Sequence, residues 1–208
     1  MKTRDYNSET DFQDLWRIWQ EIGWIDDDEK KKKALEEFTK GCKISVAEVN
    51  GSVESAVMTA SAEIQHQSTV LPLSAVMTVT SSRIVRKQGA AKKLLINRLR
   101  ADFENGAVAA CLGIFDQGYY DRFGFGTGTY EHWASFSPSS LKINKKTGIP
   151  VRLSSENFQE MHRNLLETKK NNGNMRILPA ELLHAEAMFP KNGFVFGFRS
   201  PEGKLTHH

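Results

Sequence analysis

The sequence predicts an α/β protein with a mixed central sheet flanked by helices, and three observations predict it. A helical repeat of apolar residues opens the chain, Asn50-Gly51 separates two strand-like stretches, and a strand, a basic glycine-containing loop and a second helical repeat follow in order between residues 73 and 103. At 208 residues the chain is long enough to bury a core without disulfides or metals.

Taken in order, Phe12, Leu15, Trp16, Trp19 and Ile22 recur at helical spacing after the capping-type run Ser8-Glu9-Thr10-Asp11, which predicts an amphipathic first helix. A second helix is expected from the Asp26-Asp27-Asp28 cluster to a stop at Gly41, with Leu35 and Phe38 on its apolar face and Lys30 to Lys33 solvated. Residues 43–49 and 52–60 favour strands, and Asn50-Gly51 between them is the strongest short hairpin signal. A polar stretch around His66 reads as a loop, after which residues 73–80 form another strand. Helical period returns over 90–103 through Ala91, Leu94, Leu95, Leu99 and Phe103, and residues 107–114 and 130–136 read as further strands.

Residues 137–150 hold prolines, serines and a basic run, so a boundary is expected near 142: one domain over 1–142 and a partial second module over 143–208. That module is predicted to contain helices over 155–170 and 179–189 and a strand pair at 193–199 and from Lys204, turned at Ser200-Pro201-Glu202-Gly203. So short a segment leaves Leu165, Leu166, Leu182, Leu183 and Phe194 short of partners, which places them against the first domain or a neighbouring subunit and favours a homo-oligomer.

Composition excludes several classes. Twenty-eight basic against 25 acidic residues give a net charge of +3, too little for nucleic-acid or membrane binding by bulk charge. Cys42 and Cys111 stand in apolar stretches without CxxC spacing, which points to packing in a reduced compartment. The first ten residues have no apolar signal core and no stretch is long enough to span a membrane, so the expected location is cytoplasmic. His132, His162 and His184 lack metal-site spacing, and no metal is expected. Nucleophile elbows, Cys/His pairs and Walker loops are absent too.

The chemistry concentrates in two motifs. Val79, Thr80 and Ser81 end a strand that leads into Arg86-Lys87-Gln88-Gly89-Ala90-Ala91-Lys92, a basic loop opening a helix. Exposed amides at a helix N-terminus bind anions, and Gly89, having no Cβ, permits close backbone approach of a pyrophosphate. The second motif, Tyr119-Tyr120-Asp121-Arg122-Phe123-Gly124-Phe125-Gly126, follows the next buried strand. Arg86-x-x-Gly89-x-Ala91 and this tyrosine segment together resemble the GNAT superfamily of N-acetyltransferases over residues 5 to 140, and are most similar to its enhanced-intracellular-survival (Eis) type. Arg83 stands where many relatives have proline.

The resemblance implies the GNAT fold and an acetyl-coenzyme A-dependent N-acetyltransferase acting by direct attack in a ternary complex on a primary amine of a small molecule or peptide, with aminoglycoside, polyamine, peptide N-terminus and lysine all open as acceptors. It assigns Tyr120 as the acid that protonates the departing thiolate. It further implies cofactor contacts at Val79, Thr80 and Ser81 along the pantetheine arm, at Arg86, Lys87, Gln88, Gly89, Ala90, Ala91 and Lys92 around the pyrophosphate, and at Phe115 and Asp116 past the following strand. Glu54, Glu63, His66 and Asp116 qualify as the base by residue type alone. The alternative expectation is a non-catalytic coenzyme A-binding or regulatory module on the same scaffold.

Overall fold

The computed structural model describes residues 1–113, 118–128, 132–142, 148–168, 173–190 and 193–208. A central sheet runs in the order β1 (Lys2–Asp5), β2 (Lys43–Val49), β3 (Ser52–His66), β4 (Thr69–Ser81), β5 (Ala109–Leu112). All neighbours are antiparallel except β4 and β5, which are parallel and joined through α3 (Ala90–Glu104). Parallel neighbours need such a crossover. α1 (Ser8–Glu21) and α2 (Glu29–Lys40) cover one face of the sheet, with Leu15, Ile18, Trp19, Leu35 and Phe38 packed on Val46, Ala56 and Met58. α3 covers the other through Ala90, Leu94 and Leu95 on Ala47, Val57 and Val76.

The Asn50-Gly51 hairpin forms as expected: Val49 pairs with Ser52, and both turn residues have positive φ, 53° and 87°. The expected loop around His66 is instead strand. β3 continues to His66 and turns at Gln67 into Thr69, because a further strand supplies hydrogen bonds to its outer half. β1 has no counterpart in the sequence reading. It is a short charged edge strand held by Arg4, which pairs with buried Asp11 at 2.5 Å and with Glu48 at 3.0 Å. The cap of α1 is Asn7, whose side chain accepts from the Glu9 amide. α2 starts at the expected acidic cluster, with Asp28 as its cap, and Lys30 and Lys33 are exposed. Gly41 ends α2 at a φ of −81°, so its need for glycine is spatial: a Cβ there would stand 2.8 Å from Leu182.

α3 is rotated from its expected phase. Phe103 is 70 % exposed, and Asp102 occupies the interior. Its carboxylate accepts from Thr59 Oγ1 at 2.6 Å and Ser74 Oγ at 2.7 Å, and lies 3.3 Å from Arg98 and 3.5 Å from Lys43. Burial pushes its pKa up, and the two hydroxyl donors and two cations more than reverse this, leaving it below the usual value. Breaking such a buried cluster from one side costs about 3 kcal/mol. Asp102→Ala should therefore lower the melting temperature by roughly 6–12 °C. A carboxylate whose folded pKa is depressed stabilises above its unfolded value and loses that contribution as pH falls through the folded one. The gap between wild type and variant should thus narrow below about pH 4, and equal melting curves at pH 7 would remove the anchoring role.

The C-terminal segment contains β6 (Val151–Leu153), α4 (Phe158–Glu167), β7 (Met175–Ile177), α5 (Ala180–Met188), β8 (Val195–Arg199) and β9 (Leu205–His207). β6, β8 and β9 make a small antiparallel sheet over Leu153, Met161 and Leu205. β7 joins the central sheet, pairing with Ala62 to Ile64 of β3. α5 faces both ways, with Leu182 and Ala185 in the main core and Leu183 against the small sheet's cluster. Phe194, expected in a buried face, is 75 % exposed. The predicted strand at 130–136 lies partly outside the described residues, and 132–136 carry no regular structure.

Candidate active site

β4 positions the first part of the site. Thr59 of β3 pairs with Val76 and Met58 with Thr78, so Met77 is an extra residue bulged out of β4. A bulge re-aims the residues beside it. Val76 and Val79 pack with the α3 cluster, while Met77 packs against the α1-side cluster. Pairing with β5 runs only from Leu73–Ala109 to Val76–Leu112, so the edge of β4 from Met77 to Ser81 lies beyond the registered part of β5. Val79, Thr80 and Ser81 stand on that stretch. Thr80 is buried, its carbonyl accepting from Ser55 Oγ at 2.7 Å, and Ser55 and Ser81 hydroxyls lie 2.8 Å apart.

A single 3₁₀ turn, Arg83–Val85, then carries the chain into the loop. It is fastened at its start: the Ser82 amide donates to Glu54 O at 2.8 Å, and Arg83 donates from its amide to Glu21 Oε1 and from its guanidinium to Glu21 O. Arg86, Lys87 and Gln88 are exposed, and the Gln88 side chain donates to Ile84 O at 2.7 Å. Lys87 and Gly89 have positive φ, 62° and 81°. Gly89 is the N-cap of α3 and offers no side chain to its amides, while a Cβ placed there would meet nothing within 4 Å. The first four N–H groups of a helix have no partner within it. The open ground over Gly89, those amides and exposed Arg86, Lys87 and Lys92 fit a pyrophosphate. Ala90 is buried in the core, and Ala91 is half-buried.

The tyrosine segment meets the same cluster. Tyr120, Phe123 and Phe125 pack against the group that includes Val85 and Ala90, so the loop and the segment converge below α3. The structure separates the two tyrosines. Tyr119 lies under Arg122, whose guanidinium carbon is 4.2 Å from its ring centroid and whose Nε donates to Tyr119 O. Tyr120 is half-buried, edge-on to Tyr119 at 4.9 Å and to Phe125 at 6.0 Å. Gly124, at a φ of 87°, closes the 3₁₀ turn Asp121–Phe123.

Of the base candidates, Glu54 is buried and pairs with Arg17 at 3.2 Å, Glu63 pairs with Arg176 at 2.5 Å, and His66 is exposed at the far end of β3. Phe115 and Asp116 lie outside the described residues. Thr78 is a residue the sequence did not mark: its hydroxyl is buried and lacks a hydrogen-bond partner among the described residues. Its setting depends on the bulge, which leaves no trace in composition. Among the described residues no group of three His, Cys, Asp or Glu side chains is placed to hold a metal, and no helix is long and apolar enough to cross a membrane.

The profile of the acetyltransferase (GNAT) domain matches residues 3–128, more than half of the chain. The chain belongs to the GNAT acetyltransferase family. Its match takes in β4, the loop, α3 and the tyrosine segment. Comparison with curated proteins gives no match. Among solved structures, the GNAT fold is seen again in a "probable N-acyltransferase" of Enterococcus faecalis V583, with a TM-score of 0.75 at 13 % identity over 98 % of this chain and 53 % of the other. The chain thus spans about half the length of that protein. A ribosomal-protein-alanine N-acetyltransferase of Brucella melitensis gives 0.52 at 14 % identity over 65 % of this chain and 100 % of its own, and a GNAT family acetyltransferase of Staphylococcus aureus gives 0.51 at 16 % over 65 % and 98 %. At these identities the likeness is one of fold.

Proposed function

We propose that the chain transfers an acetyl group from acetyl-coenzyme A to a primary amine by direct attack in a ternary complex, the nucleophile belonging to the acceptor. The observation that carries this is the convergence of Val85 and Ala90 from the basic loop with Tyr120 on one cluster, beside the stretch of β4 past Val76 that pairs with no β5 residue among the described residues. The β4 edge at Val79, Thr80 and Ser81 would line the pantetheine arm, and the Arg86 to Lys92 loop would hold the pyrophosphate. Phe115 and Asp116 remain part of this proposed cofactor site. Tyr120 holds the proton that the leaving thiolate needs. A phenol near pKa 10 is protonated at neutral pH and is matched to a thiol near 8.5.

Residues 1–142 are proposed as the catalytic domain and 143–208 as a partial accessory module, in a cytoplasmic protein. Kinship with the Eis type is proposed on the Tyr120 to Phe125 segment. Release of free thiol from acetyl-coenzyme A in the presence of a panel of amines tests the reading. Amine-dependent release is the expected result, and cofactor binding without release by any amine would replace the enzyme with a binding module.

A further inference from the structure

A cavity of about 210 Å³ lies on the sheet face covered by α1, α2 and α5, walled by Met77 from the β4 bulge, Ile177 from β7, Leu166 from α4 and Leu183 from α5. It reaches the cofactor strand at its bulge: Met77 is two residues before Val79, and Thr78, with its unpartnered buried hydroxyl, stands between them. Ligand pockets of about 300–1,000 Å³ hold drug-sized molecules, so this one admits something smaller.

Among the described residues the lining contains three polar side chains. His162 is committed, its Nε2 lying 3.0 Å from Ile177 O. Arg176 is committed as well, to Glu63 and, at 3.0 Å, to Leu166 O. Glu186 has neither a hydrogen bond nor an ion pair among the described residues. It stands at the exposed rim, and the apolar wall beside it raises its carboxyl above the ordinary value by desolvation. An ammonium beside it would answer that desolvation with a charge-assisted hydrogen bond.

We propose that this cavity is the acceptor site and that it selects a monocationic primary amine with a compact apolar body, such as an arylalkylamine, with Glu186 as the positioning carboxylate for its ammonium. The inference rests on the acetyl-transfer reading above. One uncommitted carboxylate at the rim of an apolar cavity matches one positive charge. A polycation would bring further ammonium groups to Leu166, Leu183 and an arginine, where an unpaired charge is costly. The cavity is therefore built against aminoglycosides and polyamines as much as for a monoamine.

Titration of phenethylamine into protein carrying ¹³C-methyl methionine tests this without turnover. Phenethylamine is expected to shift the Met77 methyl resonance. Glu186→Gln should weaken that binding about tenfold, with Glu186→Asp recovering part of it and acetyl-coenzyme A affinity unchanged in both. Spermidine and kanamycin are expected to bind more weakly than phenethylamine. An unmoved Met77 signal, equal affinity in Glu186→Gln, or tighter binding of either polycation overturns the assignment. If Met77 responds yet no amine of the panel gives thiol release, the acetyl-transfer reading fails and the amine pocket stands. Thiol release with phenethylamine while Met77 stays silent sinks the pocket and leaves the enzyme.

Discussion

Tyr120→Phe should lower turnover with acetyl-coenzyme A and an amine by about 10²–10⁴-fold, the usual contribution of a positioned general acid. The substitution removes one oxygen and keeps the ring, which packs half-buried against Tyr119, Phe125 and the cluster beneath α3. Fold and cofactor affinity should therefore remain near those of wild type, and the loss should appear in kcat. Tyr119→Phe serves as the control. Its ring lies under Arg122, and a phenylalanine preserves that stacking. Equal losses in both variants would point to packing of the segment, and wild-type turnover in Tyr120→Phe would require a different proton donor.

Gly89→Glu should weaken acetyl-coenzyme A binding by about 100-fold or more, through loss of charge-assisted hydrogen bonds to phosphate of about 1.5–3 kcal/mol each. Apart from its chain neighbours, no atom of the described residues lies within 4 Å of the position its Cβ would take, so the Cβ itself meets no clash. The conformational cost of a φ of 81° is about 1–2 kcal/mol. A carboxylate at the N-terminus of α3 is favoured by the helix dipole. It would fold onto the amides that the pyrophosphate is proposed to use and repel it. Gly89→Ala carries the backbone strain without the charge and should lose far less. Calorimetry on the two variants separates strain from charge, and equal affinity in Gly89→Glu and wild type would move the cofactor elsewhere.

The features legible in the sequence are those written in local patterns. The Asn50-Gly51 turn needs two positive φ angles, and the residues that tolerate them are there to be read. The apolar periods of α1 and α2, Asp28 as a cap, and the order of strand, basic glycine loop and helix from Val79 to Ala91 likewise depend on neighbours within a few turns. The family match over 3–128 covers the same stretch.

Where partners are distant in the chain, the tertiary structure decided. β3 runs on to His66 because β7, more than a hundred residues later, pairs with Ala62 to Ile64. Asp102 displaces Phe103 from the interior because Thr59, Ser74, Arg98 and Lys43 gather four partners around a carboxylate whose period alone would place it outside. Tyr119 and Tyr120 are adjacent and alike in sequence; the stacking of Arg122 and the cluster below α3 tell them apart. The cavity joining Met77 to Glu186 needs a bulge in β4 and a helix from the far end of the chain, two features that no window of sequence contains together. The sequence by itself determined the Asn50-Gly51 turn, α1, α2 and the basic loop that opens α3, since turns, caps and helix starts are local physics. Long-range pairing and burial decided which of its charged and aromatic side chains are held in the interior and which are left at the surface.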